Sequence, residues 1–381
     1  MISLVALSID AMLPALPDIG ADLGVSDPNR NQLVVSALFV GLALGQMFYG
    51  PMSDSTGRKP AVYAGLALFV AGCLLSVFAS SFEMMLAGRA LQGFGAAGPR
   101  IVCVALVRDQ YAGRPMARIM SFVMAVFILV PALAPAFGQG VLAVAGWRAI
   151  FVSLLAIALV SLIWFALSQP ETLLAERRGA FSMARIAAGV RETCANREAF
   201  GYTVAAGFVF GAFVGYLNSA QQILQQQYAL GVQFPLYFGV LALAIGGASV
   251  ANARLVMRFG MRALSTRALI AVSGLSAGYL VVVWVSAGHP PLWSFMSYLM
   301  LVFFGVGMLF GNLNALAMEP LGHIAGVGAA VVGSLSTAMS LPLGVLIGQA
   351  YDGTVGPLVL GFALLALAAL GAMRWAGAGR G

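Results

Sequence analysis

The sequence predicts an all-α integral membrane protein with twelve transmembrane helices in two six-helix bundles and both termini in the cytoplasm. Composition is the first reason, since 61% of the 381 residues are hydrophobic and only 9% are charged. A soluble domain has roughly 45–50% apolar and about 25% charged residues. The second reason is a series of uncharged segments of about 20 residues, the length that a helix needs to cross a bilayer. The third is the uneven placement of the arginines along the chain.

Apolar runs that are bounded by Gly, Pro or charged residues define the predicted helices. The segments from Leu33 to Met52 and from Ala61 to Phe82, for example, contain no charged residue. The predicted helices cover residues 1–17, 31–52, 61–80, 84–106, 119–142, 148–168, 200–222, 233–256, 265–288, 292–316, 325–349 and 356–375.

A polar interval at 169–198 divides the chain, because five arginines and four glutamates fall in it. We expect it to be a cytoplasmic linker, one amphipathic surface helix with a loop, between bundles at 1–168 and 199–381. A faint internal repeat supports two bundles. In the second half, the pattern Asn252-x-Arg254-x3-Arg258-x-Gly260-x-Arg262 occupies the place that residues 54–59 occupy in the first half.

Basic residues set the orientation. If the first helix leaves the cytoplasm, sixteen basic residues fall on the cytoplasmic side and only Arg30 and Arg148 on the outer side. The first predicted helix has only 17 residues up to Pro17, which is about the lower limit for a span. We therefore expect a turn or two of helix and a short tail before residue 1. A cleavable signal peptide is the alternative, but there is no charged n-region and the apolar run contains Asp10.

Several function classes are not supported by the sequence. The net charge of +7 does not come with a basic run and interleaved aromatics, so no nucleic-acid partner is expected. Cys73, Cys103 and Cys194 stand at unrelated spacings, which predicts neither a disulfide framework nor a metal site. No phosphate-binding glycine loop and no Ser-His-Asp pattern is visible. We expect no enzymatic activity and no metal or organic cofactor.

Three charged residues, Asp10, Arg89 and Arg100, lie in the interior of predicted helices rather than at their ends. A charge near the bilayer centre costs about 2.5–3.5 kcal/mol, so each needs a compensating role. The two arginines stand about 16 Å apart along their helix. They belong to one helical face that is too polar for lipid and is expected to line an aqueous cavity: Arg89, Gln92, Gly93, Ala96 and Arg100.

Asp10 and Arg89 are expected at matching depths, about 8–10 Å below the outer membrane boundary, if the first helix ends at Pro17. An ion pair would lower the desolvation penalty of both groups. A proton on Asp10 would weaken that pair, which predicts a proton switch. The alternative is a permanent ion pair that only orients two helices.

A charged turn between two apolar segments carries a recognisable motif. Gly57 permits backbone angles that other residues resist, and Asp54 is placed to accept hydrogen bonds from the start of a neighbouring helix. The pattern G-x-x-x-D-x-x-G-R-[RK] resembles the signature loop between helices 2 and 3 of the major facilitator superfamily, although Ser55 replaces a usual basic residue. An ordinary positive-inside loop is the alternative. The resemblance implies a cytoplasmic gate at Gly50, Asp54, Gly57, Arg58, Lys59 and Arg108.

Other motifs resemble the Bcr/CflA branch of bacterial drug:proton antiporters. They are Asp10-x3-Pro14-x2-Pro17, Arg89-x2-Gln92-Gly93-x-Gly95, Gly146-Trp147-Arg148-x-Ile150-Phe151, Pro170-Glu171-Thr172-Leu173 and Ala325-Gly326. This resemblance implies the major facilitator fold and an essential arginine at Arg89.

The helix at 119–142 is expected to kink at Pro131, Pro135 and Gly138. Its Ala134-Pro135-x2-Gly138-Gln139 run resembles a degraded antiporter motif; a simple packing kink is the alternative. Gly98-Pro99 is expected to open the preceding helix and aim Arg100 inward, where it binds a substrate group or pairs with carbonyls.

The second half has no charge equivalent to Asp10, Arg89 or Arg100 within its predicted helices. Its candidate substrate-path residues are polar or aromatic, and each has an alternative role in bonding a neighbouring helix. With Arg100 and Gln92 they form the predicted substrate cavity: Tyr216, Asn218, Gln222 and Asn312.

Together these features predict a transporter that works by alternating access. We expect it to export small lipophilic drugs across the bacterial inner membrane, with the proton as coupling ion, and to act as a monomer within the lipid bilayer. A proton-coupled or facilitative carrier of a small metabolite is one alternative, and a non-transporting receptor or scaffold is another.

Overall fold

The computed structural model describes residues 1–111, 113–179 and 181–378, so residue 180 of the predicted linker and residues 379–381 of the second predicted bundle lie outside it. All regular secondary structure in the described residues is helical. The α-helices are α1 Ser3–Asp10, α2 Leu16–Asp22, α3 Leu33–Thr56, α4 Arg58–Val77, α5 Phe82–Gln110, α6 Gly113–Ser168, α7 Met183–Ala195, α8 Arg197–Ala220, α9 Phe234–Phe259, α10 Met261–Val285, α11 Leu292–Met318, α12 Ala325–Gln349 and α13 Gly356–Gly377.

Within the described residues, ten helical segments are long and apolar enough to cross a membrane. The chain forms two compact units, Met1–Ala188 and Gly189–Gly381. The boundary between them lies inside the predicted linker 169–198, in α7. The protein is therefore an all-helical, multi-pass membrane protein built as two units.

The first predicted helix is interrupted, and it does not end at Pro17. Helix α1 ends at Asp10, a short 3₁₀ turn covers Leu13–Ala15, and α2 continues to Asp22. Pro17 lies in the first turn of α2, where a missing backbone N–H is tolerated. The segment therefore extends beyond Pro17, which removes the basis for the depth estimate of Asp10.

Helix α5 packs closely against both α3 and α4 through glycines. A methyl group on Gly93 would lie 1.9 Å from the carbonyl oxygen of Leu38 in α3, and one on Gly95 would lie 2.3 Å from the backbone nitrogen of Phe69 in α4. Only glycine permits such close backbone approach. The helix continues through Pro99 to Gln110, so the expected opening at Gly98-Pro99 was wrong.

Helix α6 breaks at a glycine rather than at its prolines. Gly146 has φ 75° and ψ 176°, whereas Pro131 and Pro135 lie inside the helix. At Gly138, α6 approaches the first helical segment so closely that a methyl group would lie 1.6 Å from the carbonyl oxygen of Ala11. This contact lies directly after Asp10 in the sequence.

The same helix–glycine–helix turn occurs in both units. Gly57 ends α3 and begins α4 with φ 108° and ψ 163°, and Gly260 ends α9 and begins α10 with φ 76° and ψ 153°. These positive φ angles favour glycine. The two turns occupy the two positions of the internal repeat found in the sequence.

We predict that Gly138→Ala destabilises the protein whereas Gly140→Ala does not. The added methyl group at 138 collides with the Ala11 backbone, while no atom lies within 4 Å of the corresponding position at 140. Overpacking of this kind costs about 1–3 kcal/mol. The apparent Tm of each variant in detergent, followed by tryptophan fluorescence, measures the difference. Equal Tm values for the two variants would contradict the packing described for α6.

Candidate functional site

Arg89 is fully buried in α5 and its guanidinium donates to three acceptors. Nε donates to the carbonyl oxygen of Val34 at 3.1 Å, and Nη2 donates to the carbonyl oxygen of Ser8 at 2.8 Å. Nη1 donates to Oε1 of Gln92, one turn along α5. The buried cation therefore joins α5 to α1 and to the start of α3 through backbone carbonyls.

Gln92 extends this network to α4. Its side-chain nitrogen donates to Sγ of Cys73 at 2.8 Å, and both residues are fully buried. The ring of Phe151, in the second half of α6, lies 5.8 Å from Cζ of Arg89. The sequence predicted no such role for Cys73, because no spacing rule marks a cysteine that accepts a single hydrogen bond.

Asp10 is buried at the end of α1, with 4% of its surface exposed. Among the described residues, however, no ion pair joins Asp10 to Arg89, so the expected direct pair is absent. The break after Asp10 leaves the carbonyl of Ser8 as the group of α1 that Arg89 reaches. The guanidinium of Arg89 is therefore bound to a backbone carbonyl of α1 that lies two residues before Asp10.

A second cluster surrounds Arg58 at the start of α4. Its Nε donates to Oδ2 of Asp109 at 2.8 Å, and its Nη1 donates to Oγ of Ser53 at 2.8 Å and to Oδ1 of Asp54. Thr172 also donates to Asp109, at 3.0 Å. Asp109 was missed by the sequence analysis, which selected its neighbour Arg108; Arg108 is exposed.

Glu171, rather than Asp54, binds the start of the neighbouring helix. The backbone N–H groups of Arg58 and Lys59 donate to its two carboxylate oxygens at 2.9 and 3.0 Å. Asp54 instead pairs with the Arg58 side chain. Partial burial alone raises the pKa of Glu171, but four backbone N–H donors outweigh it and lower the pKa below its usual value.

The other predicted gate residues lie around this cluster. The carbonyl oxygen of Gly50 accepts a hydrogen bond from Ser53 at 3.1 Å. Nζ of Lys59 donates to the carbonyl oxygen of Ala166 at 3.3 Å. Gly57 is buried, and a methyl group there would lie 2.7 Å from the Glu171 carboxylate. The turn is therefore too tight for a side chain, in addition to its positive φ.

The predicted substrate-cavity residues fall in both units. In the first, Gln92 belongs to the Arg89 network, and Arg100 is half-buried near the middle of α5. In the second, the Tyr216 ring packs edge-on against Phe303, with centroids 4.7 Å apart. Asn218 and Gln222 are buried in α8 and in the π-helical turn that follows it.

The side chain of Asn312 bonds a neighbouring helix, which is the alternative to lining a substrate path. Its side chain and that of Asn252 exchange two hydrogen bonds, at 2.8 and 2.9 Å, between α11 and α9. Both amides use a donor and an acceptor in this pair. The exchange ties the two helices together.

The Gly146-Trp147-Arg148 motif joins α6 to α2 and to the loop after α4, at the opposite end of the first unit. Trp147 Nε1 donates to Oδ2 of Asp22 at 2.9 Å, and Arg148 Nη1 donates to the same oxygen at 2.7 Å. Arg148 also donates to the carbonyl oxygen of Ala79 at 3.3 Å. The sequence analysis identified the motif but not Asp22.

Residues 1–343 match the family model described as Major Facilitator Superfamily. The chain is 29% identical to the bicyclomycin resistance protein homolog of Haemophilus influenzae, over 92% of this chain and 87% of the relative. It is 27% identical to multidrug resistance protein D of Escherichia coli, over 93% and 88%. It is 29% identical to the uncharacterized MFS-type transporter YdgK of Bacillus subtilis, over 90% and 85%.

The fold is similar to the crystal structure of the human organic anion transporter MFSD10 (TETRAN), with a TM-score of 0.71. The alignment covers 98% of this chain and 96% of the human chain, at 19% sequence identity. At that identity the likeness establishes the shared fold.

We predict that Glu171→Gln lowers stability by about 1 kcal/mol near neutral pH, because it removes the charge that caps α4. Because the pKa of Glu171 is lowered in the folded protein, the stabilisation that its charge gives the wild type is complete above the usual pKa of a glutamate. The advantage disappears as pH falls through the lower folded-state value. Thermal unfolding in detergent across acidic and neutral pH measures it.

Glu176→Gln is the matched control, since Glu176 is exposed in the same loop. We expect that control to unfold like the wild type at every pH. A gap between Glu171→Gln and wild type that widens toward low pH would contradict the capping role.

Proposed function

Because the chain belongs to the major facilitator superfamily, we propose that it exports small lipophilic molecules across the bacterial inner membrane in exchange for protons. The bicyclomycin-resistance and multidrug-resistance names of its relatives support export of drug-like molecules. The observation that carries proton coupling is the burial of Asp10 in the same helix whose Ser8 carbonyl holds Arg89. No cofactor is required in this scheme; the proton is the coupling ion, and the monomer is the working unit.

We propose twelve membrane crossings with both termini in the cytoplasm. Two of the ten apolar segments are long enough for two crossings each: Leu129–Ser168 with 40 residues and Leu292–Gln349 with 58. A helix needs only about 20 residues to cross the bilayer. The first of these segments is broken at Gly146 and the second by the 3₁₀ turn Glu319–Ile324, which supports two crossings in each.

Proton coupling would act through two alternative states of Arg89. A buried carboxylate is unfavourable when it is ionised without a partner. In the state described above, Arg89 is bound to the carbonyl of Ser8 and makes no ion pair with Asp10 among the described residues, which fits a protonated acid. Loss of that proton would draw the guanidinium toward Asp10 and away from Ser8. The proton and Arg89 thus compete for the same carboxyl group.

The Arg58 cluster would hold the cytoplasmic gate. Arg58 joins Asp54 to Asp109, and Glu171 fixes the start of α4. The contacts with Asp109 and Glu171 reach outside the α3–α4 pair that forms the turn, so movement of the start of α4 disturbs both. We propose that they form and break during alternating access.

We predict that Asp10→Asn abolishes proton-coupled export, because an amide can neither take up and release a proton nor form an ion pair with Arg89. The variant remains folded, since the carboxyl group of Asp10 makes no ion pair among the described residues. Susceptibility of an efflux-deficient host to a drug panel that includes bicyclomycin measures export. A pH-sensitive dye in proteoliposomes measures substrate-driven proton flux.

Asp18→Asn is the control, because it makes the same chemical change at an exposed position in α2. It is expected to export like the wild type. Full export by the Asp10→Asn protein would remove Asp10 from the mechanism, and substrate movement with no proton flux in the wild type would refute antiport.

A further inference from the structure

The second unit contains a basic cavity that none of the transport proposals uses. Its volume is about 650 Å³, within the roughly 300–1,000 Å³ of pockets that hold small ligands. It lies where α9 ends and α10 begins, at the Gly260 turn, and reaches α8 and α11. Its side chains include Tyr202, Phe259, Arg262, Thr266, Arg267 and Leu316.

The cavity carries more positive than negative charge. Arg262 and Arg267 line it, and Glu319 is the one acidic residue among its described lining residues. Among the described residues, neither arginine forms an ion pair with a carboxylate. Two unpaired guanidinium groups at one cavity favour an anion, and phosphate suits the fork of an arginine especially well.

Aromatic stacking holds one of these arginines in place. Cζ of Arg267 lies 5.0 Å from the ring centroid of Phe259, and Cζ of Arg258 lies 5.2 Å from the same ring. Such contacts reduce the freedom that an arginine loses on binding a ligand. The basic edge of the cavity is therefore ordered before any anion arrives.

The related turn in the first unit shows what these positions bind. There, the first two N–H groups of α4 donate to the carboxylate of Glu171. At the matching turn, no side chain among the described residues caps the start of α10, where Gly260 is the N-cap. The carboxylate of Glu171 thus occupies the Gly57 turn, whereas the Gly260 turn lines the cavity without such a carboxylate among the described residues.

Two large apolar side chains are exposed at the end of α9, next to the Gly260 turn. Phe259 is 38% exposed and Met257 is 86% exposed, although both are large apolar side chains at the end of a membrane-spanning helix. Tyr202 and Leu316 add apolar surface within the cavity. A ligand here needs an anionic group for the arginines and an apolar body for these side chains.

We propose that this cavity binds the headgroup of an acidic phospholipid, with the phosphate at Arg262, Arg267 and the start of α10. The acyl chains extend along Phe259, the exposed apolar residue that lines the cavity. The site lies outside the proposed proton-coupling residues, so it stands or falls independently of the transport mechanism.

Native mass spectrometry of the full chain in detergent tests the proposal by titration with phosphatidylglycerol or phosphatidylcholine. The wild type is expected to prefer phosphatidylglycerol. The double variant Arg262→Gln/Arg267→Gln is expected to weaken phosphatidylglycerol binding about thirtyfold, given the contribution of each surface arginine. Arg262→Lys/Arg267→Lys keeps the charge and is expected to retain most of the binding.

Arg254→Gln is the matched control, because Arg254 is exposed on α9 and outside the cavity. It should bind phosphatidylglycerol like the wild type. If the double variant does not elute as one species in size-exclusion chromatography, Arg267→Gln alone replaces it, with an expected loss of about fivefold.

Equal binding of the two lipids, or equal binding by the glutamine variant and the wild type, would overturn the proposal. An excess of inorganic phosphate separates the two sources of the anion. We expect it to leave phosphatidylglycerol bound, because free phosphate has no apolar body. Displacement of the lipid by phosphate would assign the cavity to a soluble anion instead.

Discussion

The structure of the first unit depends on one buried cation. Arg89 has no exposed surface, and a charge in that position is tolerated only where hydrogen bonds replace its hydration. The backbone supplies two of the three acceptors, through the carbonyls of Ser8 and Val34. Backbone carbonyls do not titrate, so they remain available to hold the guanidinium when Asp10 is protonated. A carboxyl group close by, such as Asp10, is then left to respond to protons.

Close helix packing makes this arrangement possible. The acceptors of Arg89 reach it only if α1 and α3 approach α5 closely, and Gly93 permits that approach between α3 and α5. Gly138 does the same between α6 and the segment that follows Asp10. In a membrane, small residues at helix contacts replace the hydrophobic driving force that packs soluble helices. The glycines are therefore part of the site, although none of them touches the guanidinium.

The sequence predicted most helices to within a few residues, because apolar length is set by the thickness of the bilayer. It ended one helix too early, before Asp54, and began the next too late, after Arg58, because charged residues extend both helices past the apolar core. It identified Arg89, Gln92 and Arg58, since charge or amide groups inside or beside apolar runs are conspicuous. It missed Asp109 and Cys73, and it gave the role of Glu171 to Asp54, because those contacts join residues that are far apart in sequence. Spacing along one helix carries no information about which distant side chain folds against it.

The internal repeat explains why the two units treat their matching turns differently. Gly57 and Gly260 both make a sharp turn with positive φ, and the first N–H groups of the helix that follows each have no partner within that helix. Such groups attract an anion wherever they occur. In the first unit, Glu171 lies just after α6 and its carboxylate accepts hydrogen bonds from the N–H groups at the Gly57 turn. The described part of the second unit has no carboxylate at the matching position, and arginines surround the turn instead. The second turn of the repeat therefore has N–H groups and arginines that favour an anion but no described carboxylate to supply it. In a bilayer, the phosphates of lipids can take that place.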